Sequence, residues 1–161
     1  MRAGGAYSPG VPTVYPSVTY PAHTTMVTGV LPAVHGIFSN RSWDPMLRNQ
    51  AGWSWYAEDI RVTTVWQAAR EAGLHTAIIS WPVSVGAQAD WLVPEYWRAG
   101  TGDDVKLVRA LSTPGLLDAV AADNPGFLAG FTPPDVLDHA TIDIATHIMR
   151  MGKPDLMLVR V

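Results

Sequence analysis

The chain has 161 residues, 11 Lys+Arg against 14 Asp+Glu for a net charge of -3, 48% hydrophobic residues, and no cysteine. That length suits one domain with a real core, and the composition excludes a disordered chain, while the slight acidity and the lack of a basic run exclude binding to a nucleic-acid duplex. Without cysteine there is no disulfide framework, CxxC zinc site or thiol nucleophile.

In chain order, residues 1–21 read as loop and extended backbone, since Pro12, Pro16 and Pro21 each push the preceding residue out of helical geometry. The first ten residues carry no apolar leader core, and no apolar run reaches the ~18 residues a membrane span needs. A soluble chain without a signal peptide is therefore expected. A short helix is expected to start at Pro21 or Ala22 and run towards Val30, with Pro32 and Gly36 closing the element. Residues 39–60 are polar and carry Trp43, Trp53 and Trp55, which reads as a long ordered loop.

Thr63 or Thr64 can cap a helix through Trp66, Ala68, Ala69 and Ala72 that stops at Gly73, and His75–Trp81 follows as a strand ended by Pro82. Residues 83–102 read as a second aromatic loop with Trp91, Tyr96 and Trp97. Two short helices are expected near 103–111 and 114–122. A longer one opens at Pro133–Pro134, shares Leu137, Ile144, Ile148 and Met151 on one face, and ends at Gly152 before a strand at 154–161. Helices alternating with strands on this scale predict an α/β fold, a mostly parallel sheet with helices on both faces. The apolar run Asp155–Val161 stops with no turn or polar tail, and a piece of a longer domain is expected.

The stretch from Pro16 to Asn40 carries the chemistry. Thr19 lies just ahead of the expected helix, where unpaired N–H groups and the helix dipole favour an anion and ease deprotonation of a hydroxyl. A Ser or Thr in that place is most often only a cap, so position alone decides nothing. Thr19-Tyr20-Pro21, Thr28-Gly29, Pro32, His35-Gly36-Ile37 and Asn40, continued by Trp43-Asp44-Pro45 and by Ile78–Pro82, resemble the nucleotide pyrophosphatase/phosphodiesterase family of the alkaline phosphatase superfamily. The likeness extends towards Val161, and implies an alkaline phosphatase-like α/β/α sandwich, incomplete here.

The resemblance implies zinc-dependent hydrolysis of a phosphodiester or nucleotide pyrophosphate through a phosphothreonine intermediate. Thr19 matches the nucleophile, whose oxygen also contacts one of two zinc ions (Zn2+), and Asn40 matches the asparagine that donates to a phosphate oxygen. Tyr20 matches an aromatic residue lining the substrate pocket, and Tyr96 is a second candidate for that pocket. The family's other zinc ligands, Asp and His residues before the nucleophile and after a later strand, have no counterpart in residues 1–161. The chain is thus expected to be a partial catalytic domain lacking the first strand and the C-terminal metal-ligand section. The family also implies a small-molecule phosphodiester or nucleotide substrate and an extracytoplasmic (periplasmic or secreted) place.

Pro21-Ala22-His23 departs from the Pro-Asn-His common in the family, and His23 and His35 are read as packed or capping histidines. Asp135, His139, Asp143 and His147 recur at four-residue spacing and could share a metal, but a solvated helix face is the preferred reading. Two alternatives stand beside the diesterase: a truncated, non-catalytic fragment that at most binds phosphate, and a phosphomonoesterase or phosphonate hydrolase of the same superfamily.

Overall fold

Three short apolar segments supply the centre of the molecule: β1 (Thr76–Ile79), β2 (Trp91–Val93) and β3 (Leu156–Val159). In this computed structural model, which describes residues 4–46, 52–97, 103–132 and 138–161, they pair in the order β2-β1-β3, all parallel. Ile78 stands opposite Leu92 on one side and Leu158 on the other. Every residue of β1 is buried, as a central parallel strand covered on both faces must be.

The period-two alternation of the strands sorts the core into two layers. Ile78 and Leu92 join Val27 and Trp66 on the face covered by α1 (Thr19–Thr28) and α3 (Val65–Glu71). Ala77, Ile79 and Val93 pack on the other face with side chains of α4 (Asp103–Leu111), α5 (Leu116–Asp123), α6 (Phe127–Gly130) and α7 (Asp138–Met151). Helix, sheet, helix is the layering expected from the sequence.

Local chemistry explains most element ends. Thr64 and Gln67 form a reciprocal capping box at the start of α3. Gly36, after the short α2 (Pro32–His35), has φ +88°, and a β-carbon there would meet the Arg61 side chain at 2.8 Å, so both conformation and space require glycine.

Four expectations are corrected. The first helix starts at Thr19 rather than at Pro21 or Ala22: Pro21 occupies its first turn, where the missing N–H has no intrahelical partner to lose. Strand β2 lies inside the stretch read as an aromatic loop, because three residues are too few to display alternation. The four-residue α6 had no periodic signal either. On α7 the buried stripe is Ala140, Thr141, Ile144, Ala145 and Ile148, whereas Met151, in the last turn beyond the covered layer, is exposed. Pro133–Leu137, with the proposed helix opening and Asp135, lies outside the described residues.

Candidate functional site

The amino end of α1 faces the carboxyl ends of the parallel strands, the edge at which open α/β sheets place their ligands. Val18 is the extended N-cap and offers no side-chain cap. Asn40 supplies one from twenty residues away: its Oδ1 accepts the Tyr20 N–H at 2.9 Å. An N–H donor must meet the carbonyl oxygen of an amide, so Nδ2 is left as the donating end of that side chain. Thr19, half-buried in the first helical turn, and Asn40 are thereby joined through one backbone amide.

The rest of α1 satisfies itself. Thr24 Oγ1 donates to the Tyr20 carbonyl at 2.8 Å and Thr28 Oγ1 to the Thr24 carbonyl at 2.7 Å. His23 Nδ1 donates to the Thr19 carbonyl at 2.8 Å, and its ring meets Trp81 edge-on at 5.2 Å. Burial lowers the His23 pKa, opposed by that hydrogen bond and aided by the Arg160 charge. His35 is fully buried: Nδ1 accepts the Ile37 N–H at 3.1 Å, which puts the ring proton on Nε2, 3.1 Å from Thr25 Oγ1. Both histidines are packed and hydrogen-bonded, as expected.

The two tyrosines expected to line a pocket sit in the core instead. Tyr20 is 1% exposed and packs edge-on against Trp53 at 5.5 Å; Tyr96 is 8% exposed and packs on Trp55 at 4.8 Å. Trp97 fills the space between Trp53 and Trp55, at 4.9 and 6.1 Å. Aromatic rings supply large buried area, and here the two loops use them to close one end of the core. The open surface lies alongside: a groove of about 590 Å³ lined by Phe38, Ser39, Arg41, Trp43, Ser54 and Arg61 runs past the neighbours of Asn40. Trp43 stands 89% exposed there.

Two functional candidates escaped the sequence reading. Glu95, two residues past β2, forms an ion pair through Oε1 with Arg160, the residue that follows β3. The Glu95 carboxyl is raised by burial, with Arg160 and Tyr20 opposing the rise; the Tyr20 phenol is raised by burial and then by the Glu95 charge. Tyr20 Oη and Glu95 Oε2 are both fully buried and have no other partner, and their mutual approach stops short of a well-formed hydrogen bond. A signal did exist: Arg160 is a charge at the tip of an otherwise apolar strand run. Val83, buried and β-branched with φ +58°, and Ser80 with φ +51° mark a strained turn directly after β1.

The helical stripe of α7 disperses among separate partners. Asp143 accepts from Asn124 Nδ2 at 2.7 Å, and His147 Nδ1 lies 2.7 Å from Asp123 Oδ2. Among the described residues no three His, Asp or Glu side chains are grouped to hold a metal ion.

The family model described as type I phosphodiesterase / nucleotide pyrophosphatase matches residues 1–161. Ectonucleotide pyrophosphatase/phosphodiesterase family member 1 of Homo sapiens is 24% identical over 159 residues, covering 93% of this chain and 17% of the human protein. Family member 3 of Mus musculus is 28% identical over 163 residues, with 93% and 18% covered. This chain thus spans under a fifth of the length of these relatives. Among solved structures, a phosphonoacetate hydrolase from Sinorhizobium meliloti in complex with phosphonoacetate superposes with a TM-score of 0.53 at 22% identity, covering 91% of this chain and 35% of that one, a likeness of fold.

Proposed function

This chain belongs to the type I phosphodiesterase / nucleotide pyrophosphatase family, and from that premise we propose that the protein carrying it hydrolyses a phosphodiester or nucleotide pyrophosphate bond through a covalent intermediate on Thr19. The observation that supports this is Thr19 in the first turn of a ten-residue helix whose next N–H is held by Asn40. Thr19 Oγ attacks phosphorus; the Oγ–P bond forms as the bond to the leaving oxygen breaks, and the proton lost by Thr19 ends on the leaving group. Water then cleaves the phosphothreonine, restoring the hydroxyl and releasing the phosphoryl product. Asn40 Nδ2 donates to a non-bridging oxygen, and the amino end of α1 adds fixed positive potential where charge develops. The cationic, aromatic groove beside Asn40 would take the remainder of the substrate.

The two zinc ions implied by the resemblance need carboxylate and imidazole donors, and the described residues bring no such set together. The donors among the described residues therefore do not fit a zinc pair, and each step above runs through protein groups and water. Zinc belongs to the proposal only for the longer protein, with ligands from outside residues 1–161, of which residues 1–161 form part of the catalytic domain. The same observation favours a second reading for the isolated 161 residues, an inactive chain that at most binds phosphate. The word "ecto" in the relatives' names supports an extracytoplasmic place, and no helix among the described residues is long and apolar enough to cross a membrane.

Replacing Thr19 by Ala in the full-length protein tests the nucleophile. Turnover of a nitrophenyl phosphodiester should disappear, and acid-quenched enzyme should lose the phosphorylated Thr19 peptide; substantial residual turnover would refute the assignment. Comparing the diester with the corresponding monoester decides between a diesterase and a monoesterase of the same fold. Zinc titration of the isolated chain should show no tight pair of sites.

A further inference from the structure

We infer that the Glu95–Arg160 ion pair is a positioning device for Thr19, acting through Tyr20 to hold the first turn of α1 against the carboxyl ends of β2 and β3. The inference rests on the reading of Thr19 as nucleophile and adds the residues that aim it.

The connection runs from the sheet through Arg160 and Glu95 to the buried side of Tyr20. The Arg160 backbone N–H donates to the Ile79 carbonyl at 3.2 Å, so the sheet itself fixes where this side chain starts. Its guanidinium grips Glu95 Oε1. Glu95 has its side chain only 10% exposed, its second oxygen is buried without a partner, as is the Tyr20 hydroxyl, and its charge raises the Tyr20 phenol. Tyr20 is fixed at its backbone N–H by Asn40 and at its ring by Trp53, and its buried hydroxyl feels the Glu95 charge without a formed hydrogen bond. Its neighbour in the chain is Thr19.

Packing alone would not call for this arrangement. A buried carboxylate is costly unless it is paired, and an apolar side chain of similar volume would close the same space at no electrostatic cost. Arginine's planar fork also fixes an orientation that a lysine's point charge would not. The geometry suits a group that must sit at one distance from phosphorus, since small misplacements of a nucleophile cost large factors in rate.

The test uses the full-length protein and a nitrophenyl phosphodiester. In Arg160→Met and Glu95→Gln, kcat should fall about tenfold or more with KM within about twofold, and Tyr20→Phe should fall less in the same direction. Arg160→Lys should recover part of the loss. Amide hydrogen exchange of residues 19–23 should quicken while that of α7 stays at the wild-type rate. The double variant Glu95→Leu with Arg160→Met removes both charges and should keep its melting temperature yet not regain kcat. Wild-type kcat in folded Arg160→Met and Tyr20→Phe would overturn the inference, as would full return of kcat in the double variant. A rise in KM alone would make Arg160 a substrate contact and overturn it too. Retained turnover in Thr19→Ala, by contrast, would remove the nucleophile reading itself.

Discussion

The end of the sheet around Tyr20 and the corner between α5 and α7 hold similar inventories: one carboxylate or two, an imidazole and an asparagine. At the sheet end, groups from α1, the loop after β2, the tip of β3 and the segment carrying Asn40 converge, with Tyr20 and most of the Glu95 side chain buried. At the α5–α7 corner, Asp123 and His147 form one pair, Asn124 and Asp143 another, with Asp123 65% exposed. In the first region burial makes each polar contact consequential; in the second, water can replace any partner that is lost. Regular spacing on a helix made the corner conspicuous in the sequence, yet convergence of elements, which spacing does not report, separates the two.

Substitutions should divide along that line. Asn40→Ala removes both the donating Nδ2 and the acceptor on the Tyr20 N–H, and should lower kcat of the full-length protein by about 10²–10³-fold, measured under saturating substrate. An equally active Asn40→Ala would erase the contrast. Ile78→Ala, at the centre of the buried strand, should cost about 2–5 kcal/mol in denaturant unfolding with little change in the kcat of the molecules that remain folded. That outcome would show stability and catalysis to reside in different residues of one core.

Asp90 offers a pH-dependent comparison. Its carboxylate accepts the Thr76 N–H at 2.8 Å, which holds its pKa below the usual aspartate value; burial opposes this, and His75 and Arg70 add to the lowering. A depressed folded pKa contributes stability that is present above the unfolded value of about 4 and is lost as pH falls through the folded value. Unfolding measured from pH 5 down to pH 2 should therefore show a stability loss that Asp90→Ala lacks. The smallest effect belongs to His147→Ala: removal of an ion pair whose carboxylate is 65% exposed should change stability by about 1 kcal/mol and leave turnover and zinc content at wild-type values. A loss of bound zinc in that variant would restore the α7 stripe as a metal site.

Local signals were legible wherever they depend on neighbours in sequence. The helix cap at Thr64, one of the two threonines expected to supply it, the glycines at 36 and 73, the burial of Ile144 and Ile148, and the parallel sheet with helices on both faces all follow from spacing and turn chemistry. The motif positions Thr19 and Asn40 were legible as well, but not the hydrogen bond that joins their segments, because a twenty-residue separation carries no periodic trace. Tyr20 looked like a pocket residue through the family resemblance and Tyr96 through its place in an aromatic loop after a strand; the rings turned inward because burying an aromatic ring outweighs leaving it exposed beside a wet groove.

The sequence by itself determined the layered α/β architecture, the helix and strand punctuation, and a threonine and an asparagine set at a family-specific spacing. Only the tertiary structure decided that α1 begins at Thr19, that Asn40 caps it, and that Glu95 and Arg160 meet behind Tyr20. The physical reason is the same in each case. A helix terminus and a buried carboxylate both carry unpaired polar groups that the local chain cannot satisfy, so their partners come from whichever strands and loops the fold brings alongside.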